Sequence, residues 1–287
     1  MKLLTFVKDG QQGLAASDGG DFHGLINMKT TSTDLLLQLV TSGESLSKVA
    51  TRLLSEPKLI LDEVTYLPPI QKPSKILCVG FNYAEHASEL EQDKKKPDYP
   101  ELFTRFATTL IAHRDTIRKP RESEQLDYEV ELAVVIGKRT RRVSELDALN
   151  YIAGYTIAND ATLRDYQFRT SQWTAGKNFD STGALGPVLV LREALPPGCR
   201  GLKIEGRLNG KTMQSSSLDK LIFDVPKIIS IISEFTTLEP GDVIMTGTPS
   251  GVGMSRDPKV FMQAGDTYEA EIEGIGVLTN SVIDDLL

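Results

Sequence analysis

The chain has 287 residues, enough for one large domain or one large and one small. Its 40% apolar and 25% charged content is that of an ordinary water-soluble globular protein. A net charge of −7 gives no basic stripe for nucleic acid, and the one dense basic run, Lys138–Arg142, reads as a solvated turn.

Residues 1–70 form a small leading unit. Lys2–Val7, Gly13–Ser17 and Phe22–Asn27 are short, separated by Gly and Asp, and suit a meander of strands. Thr33–Val40 and Glu44–Leu54 carry apolar residues at helical spacing, with Ser and Thr near their starts as caps. Leu59–Leu61 and Val64–Leu67 return to an extended pattern, and Pro68–Pro73 reads as a linker. The remainder, 71–287, is strand-rich: Ile76–Val79, Glu129–Ile136, Ile152–Ala158, Val188–Leu191, Leu202–Leu208, Asp242–Met245 and Tyr268–Ile272 are the clearest. Helices are expected at 84–92, 144–149 and 225–235, the last with Pro226 in its first turn. Regular helices do not separate the strands, so a β-rich α+β fold is expected rather than a doubly wound sheet.

No run approaches the roughly 20 apolar residues of a bilayer span. Lys8-Asp9-Gly10 interrupt the leading apolar stretch too early for a signal peptide. Cys78 lies in an apolar run and Cys199 in a Pro-Pro-Gly loop, which suggests neither a disulfide framework nor a zinc site. A cytoplasmic enzyme without a membrane or nucleic-acid partner is the expectation.

The segment Tyr128–Ile136 carries the most chemistry. In a strand, Tyr128, Val130, Leu132, Val134 and Ile136 share one face, and Glu129 and Glu131 share the other with Ala133 and Val135. Two carboxylates about 7 Å apart on a partly buried face are costly unless a positive charge lies between them. A solvated strand edge is the plainer alternative. Asp160 closes Gly154–Asp160 and offers a third carboxylate, unless it caps a helix. Three oxygen donors without His or Cys suit Mg²⁺ or Mn²⁺ rather than zinc.

Other groups invite chemistry less specifically. His86 and Glu89 are three apart and adjacent on a helix, as a general base and its orienting carboxylate would be, or as a surface ion pair. Lys94-Lys95-Lys96 reads as a solvated tip, with a lid as one use. Lys177 lies in a small-residue loop and either faces an anionic substrate or is simply exposed. Gly247–Gly253 presents backbone N–H groups or is ordinary turn chemistry; no Lys-Ser/Thr follows to make a phosphate loop. Gly-x-Ser-x-Gly is absent, and His23 and His113 have no recognisable partner.

Taken in order, Gly80–His86, Tyr128–Leu132, Asn159-Asp160 with Arg164–Gln167, Gly176–Asp180 and Thr246–Gly253 resemble the fumarylacetoacetate hydrolase family, especially its two-domain bacterial members. The resemblance runs from about residue 71 to the end. It implies a mixed β-sandwich roll behind a small N-terminal α/β domain, and a homodimer. It implies Mg²⁺ or Mn²⁺ on Glu129, Glu131 and Asp160, and His86 with Glu89 as the water-activating dyad. Lys177 is then catalytic, and Tyr83, Arg164, Gln167 and Thr248 are substrate contacts. Arg105, where relatives often carry lysine, and Ala112-His113, in place of a Gly-containing turn, depart from the family pattern beside the pocket. The substrate implied is a small 2-oxo acid. Water attack on a 2,4-dioxo acid would cleave its C3–C4 bond to pyruvate and a carboxylic acid. Oxaloacetate decarboxylation or 2-hydroxydienoate tautomerisation would use the same enolate, and a catalytically silent metal-binding protein is the remaining alternative.

Overall fold

The computed structural model describes residues 1–26, 34–85 and 98–286. The chain opens on an antiparallel meander, β1 (Lys2–Lys8), β2 (Gln11–Ser17) and β3 (His23–Ile26). Helices α1 (Leu35–Ser42) and α2 (Leu46–Leu53) follow. Ser45 caps α2 as the sequence suggests, whereas α1 starts later than expected and takes Asp34 as its cap. In place of an extended Leu59–Leu61 there is a 3-10 turn at Leu61–Glu63, leading into β4 (Thr65–Tyr66), which pairs with β1.

The remaining strands are β5 (Ile76–Gly80), β6 (Glu101–Arg105), β7 (Leu110–Ile111), β8 (Thr116–Lys119), β9 (Leu126–Asp127) and β10 (Val130–Ile136). They continue as β11 (Ile152–Asn159), β12 (Thr162–Leu163), β13 (Gly183–Leu191), β14 (Lys203–Leu208), β15 (Lys211–Ser217), β16 (Val243–Met245), β17 (Thr267–Ile272) and β18 (Gly276–Asp284). A large mixed sheet runs β3-β2-β1-β13-β11-β10-β16-β5-β6, and a smaller one runs β15-β14-β17-β18-β8. The leading meander therefore extends the large sheet, through Lys2↔Val190 and Leu3↔Leu189. Neither sheet closes into a barrel among the described residues.

Strand β10 is buried from end to end, and its alternation sorts side chains to two cores. Val130, Leu132, Val134 and Ile136 join one apolar cluster with Ile204, Tyr268 and Leu278 of the smaller sheet. Ala133 and Val135 join the other, with Leu36 and Val40 of α1 and Val49, Ala50 and Leu53 of α2. Both faces of the large sheet are thus covered, one by the second sheet and one by the leading helices.

Helix Val225–Phe235 forms where expected, with Asp224 as N-cap, Pro226 in the first turn and Ile228, Ile229, Ile231 and Ile232 buried. The basic run is not wholly a solvated turn. Arg141 donates to Ser233 O and Glu234 O, late carbonyls of that helix that the helix leaves unpaired. Of the helix expected at 84–92, Ala84 and Glu85 are helical and the rest lies outside the described residues.

Candidate active site

Antiparallel pairing of β10 with β11 places Val130 opposite Asn159 and Glu131 opposite Ala158. That register brings the residues just before and inside β10 to the end of β11, where Asp160 follows; Asp160 N donates to Glu129 O at 2.9 Å. Carboxylate oxygens of Glu129, Glu131 and Asp160 consequently lie within 4.8 Å of one another. All three residues are at most 4% exposed. The third carboxylate, open in the sequence between a helix cap and a ligand, belongs to this cluster.

Three anions so close in a low-dielectric interior need compensation. Lys177 Nζ bridges Glu129 Oε2 at 2.9 Å and Asp160 Oδ2 at 2.6 Å. Burial alone would lower its pKa, but Asp160 and Glu129 outweigh it and hold the ammonium above the ordinary lysine value. Arg105, fully buried, pairs with Asp160 Oδ1 and also donates to Ala161 O and Thr182 Oγ1. Among the described residues, Glu131 receives only Gly247 N–H, at 2.8 Å, from the backbone. Burial and the nearby Asp160 and Glu129 push its carboxyl well above the usual range.

A cavity of about 20 Å³ opens against Glu129, Glu131, Lys177, Gln167 and Thr248. That is space for a single ion or water. The residues fit a hard divalent cation: the donors are all oxygen, they are buried, and one of them is destabilised as an anion by the other two.

Arg164 is fully enclosed, and its guanidinium is spent internally. Nε donates to Asp127 Oδ2 at 2.8 Å, NH1 to Gln167 Oε1 at 2.9 Å, and NH2 meets Glu129 Oε1 at 2.7 Å. Burial opposes its charge, but Asp127 and Glu129 more than restore it and raise its pKa. Thr248 is also committed: its hydroxyl donates to Val130 O at 3.0 Å and accepts from Gln214 Nε2 at 2.8 Å. The Tyr83 hydroxyl is buried without a hydrogen-bond partner among the described residues, and burial and the charge of Glu131 hold it protonated. His86, Glu89 and Lys94–Lys96 lie outside the described residues.

Three supporting residues escaped the sequence reading. Asp127 Oδ1 accepts from Tyr128 N and Gly253 N, and its Oδ2 from Met254 N and Arg164, which ties the 248–255 loop to the acidic cluster. Gln214 joins Val130 N, Tyr268 OH, Thr248 and Pro249 O. Asn82 clips its own turn to Phe223 and Thr246. Of the three, only Asn82 stands in a motif that could have flagged it. Gly247 has φ +99, and a Cβ there would lie 2.7 Å from the Asn82 Cβ, so this loop needs glycine.

Two stacked sheets thus carry, at the end of the central antiparallel pair β10 and β11, a buried all-oxygen carboxylate cluster with the donor set of a divalent-metal site. Residues 75–283 match the model of the fumarylacetoacetate (FAA) hydrolase C-terminal family, and the chain belongs to that family of enzymes. It is 39% identical over 293 residues to the rat (Rattus norvegicus) protein "Oxaloacetate tautomerase Fahd2a, mitochondrial", covering 99% of this chain and 92% of that one. It is 45% identical over 224 residues to oxaloacetate tautomerase YisK of Bacillus subtilis, covering 77% and 74%. The solved fumarylacetoacetate hydrolase of Exiguobacterium antarcticum superposes with a TM-score of 0.86 at 36% identity, covering 99% of this chain and all of that one. No helix among the described residues is long and apolar enough to cross a membrane.

Proposed function

We propose that the enzyme interconverts the enol and keto forms of oxaloacetate at a divalent-metal site formed by Glu129, Glu131 and Asp160. The observation that carries this reading is the convergence of three buried carboxylates on an ion-sized gap, with Lys177 bridging two of them. The tautomerase names of relatives at 39% and 45% identity favour this reaction over hydrolysis of an acylpyruvate. Mg²⁺ or Mn²⁺ as the ion, the division into a unit over 1–70 and a catalytic unit over 71–287, and a homodimer belong to the same proposal.

An ion held there supplies the Lewis acidity that polarises the 2-oxygen of the substrate. The protein's part is charge and proton placement. Around the gap, four carboxylates (Asp127, Glu129, Glu131, Asp160) face three cations (Arg105, Arg164, Lys177), so that with all four ionised, as ligation by Glu131 requires, one negative charge is in excess. A divalent cation inverts that balance and makes the site receptive to a dicarboxylate. Lys177 then stabilises negative charge on the 2-oxygen while a proton is exchanged at C3, with His86, oriented by Glu89, as the group that moves it. Enol to keto needs one proton gained at C3 and one lost from the 2-hydroxyl, with no water consumed.

The test follows decay of the enol absorbance of oxaloacetate with Mg²⁺ or Mn²⁺, after EDTA, and in Glu131→Gln. Acceleration by metal-loaded protein, lost after EDTA and in the variant, is expected, together with loss of the metal-induced rise in Tm. If loaded protein leaves enol decay at the solvent rate but releases pyruvate from acylpyruvates, hydrolysis replaces tautomerisation as the reaction.

A further inference from the structure

The cavity beside the carboxylates is far too small for any 2-oxo acid, so part of its lining must yield when substrate enters. The polar lining is held in place: Glu129, Lys177 and Arg164 are locked by buried ion pairs. The rest of the lining is apolar and consists mainly of Phe81, Phe103 and Trp173 around Gly80. Trp173, partly exposed like both phenylalanines, is the ring that bridges them by edge contacts, at 5.2 Å from the Phe81 ring and 5.3 Å from that of Phe103. The seat is prepared for it. Phe81 has φ +53, an unfavourable backbone conformation for a bulky residue. Gly80 leaves room for the indole, since a Cβ there would lie 2.6 Å from Trp173 Cζ3. Trp173 also stands at the start of the short helix Thr174–Lys177 that carries the bridging lysine, and its carbonyl accepts from Lys177 N at 3.2 Å.

From this placement we infer that Trp173 is the specificity-determining wall of the site. Its indole packs against the end of the substrate remote from the chelating 2-oxo carboxylate and sets how long that end can be. The inference rests on the metal-site reading above but not on which reaction follows. A short, polar end as in oxaloacetate is accepted with a small displacement of the ring. A long acyl chain would have to expel the indole from between the two phenylalanines.

Because Trp173 is the chain's single tryptophan, its emission reports the wall directly. Titrating the Mg²⁺-loaded protein with oxalate, and then with 2-oxo acids of increasing length, should change that emission saturably. Gly80→Ala should shift the emission of the metal-free protein, because the new methyl displaces the ring. Trp173→Ala, with Trp173→Phe as the variant closer in packing, should raise the affinity of the Mg²⁺-loaded protein for long-chain 2-oxo acids relative to short ones, read by calorimetric titration, by about tenfold or more. An unchanged chain-length profile in both variants, together with emission indifferent to oxalate, overturns the inference even if oxaloacetate tautomerisation proceeds as proposed. Conversely, absence of tautomerisation with a relaxed chain-length profile in Trp173→Ala overturns the reaction and leaves the wall in place.

Discussion

Asp127 makes no contact with the ion-sized gap, yet it fixes a residue that does. Its carboxylate holds Arg164, and Arg164 in turn holds Glu129 and Gln167. Neutralising Asp127 as Asn keeps an oxygen for the Tyr128 and Gly253 amides but leaves the guanidinium short of a buried counter-charge. Loss of one partner of such a pair costs about 3–5 kcal/mol. Because Glu129 loses its orienting partner's anchor, affinity for Mg²⁺ or Mn²⁺ should also fall by about 10–100-fold. Urea unfolding and calorimetric metal titration read the two effects separately. Wild-type metal affinity in a destabilised Asp127→Asn would make the residue purely structural. The sequence disclosed Glu129 and Glu131 because period-two alternation puts them on a face that continues as Ala133 and Val135. It gave no such sign for Asp127, which ahead of Tyr128 looks like an ordinary strand-edge aspartate, nor for Gln214, set in the polar run Lys211–Ser217. Both acquire meaning from partners far away in the chain, and periodicity carries no information about those.

At the level of elements, the segments legible in the sequence are those whose burial imposes a pattern. Helix Val225–Phe235 shows its stripe of isoleucines, and β10 and β11 read as strands because they are buried along almost their whole length. Strands β15, β8 and β6 stand at the ends of their sheets, where one side lacks a neighbour and the alternation demanded of a central strand relaxes. The cap of α1 has a reach that its position in sequence does not reveal. Asp34 is buried and accepts from Leu37 N at 3.1 Å, Gln71 N at 2.6 Å and Lys72 N at 3.1 Å. It therefore closes the first turn of α1 and fastens that helix to the segment entering β5. Burial raises its pKa despite these donors, which marks an anion kept for its contacts. Asp34→Ala should cost about 2–4 kcal/mol, more than a simple N-cap, because two further amides lose a charged acceptor. Asp34→Asn should recover part of that. A loss no greater than the ~1 kcal/mol of an ordinary cap, measured by urea unfolding, would show that the tether contributes nothing.

Across the whole molecule, the sequence marked β10 and β11 as strands but not which strands they join, and it gave no sign that β1 is the neighbour of β13, because Lys2 and its partner Val190 are far apart in the chain. Long-range joins of this kind are made at particular side chains, and His113 is one of them. Its Nδ1 accepts from Thr279 N of β18 at 3.1 Å, and its ring meets Tyr66 of β4 edge-on at 4.6 Å. One imidazole thus touches both the smaller sheet and β4, the strand that pairs with β1 of the large sheet. Burial, with a smaller contribution from Arg114, lowers its pKa from 6.5 to about 4. Protonating Nδ1 would also set an N–H against the Thr279 N–H. The folded state therefore binds this proton less readily than the unfolded chain, and stability must depend on pH in one direction. Above pH 6.5 the ring is neutral in both states and the join is intact. Below 6.5 the unfolded chain takes up the proton first, so stability declines until the folded ring also protonates near pH 4. His113→Gln, which can keep an acceptor toward Thr279, should lose part of the decline in Tm between those limits while carboxylates elsewhere keep theirs. Tm profiles of the two proteins that stay parallel from pH 7 to 4 would mean that this imidazole does not couple the sheets to pH.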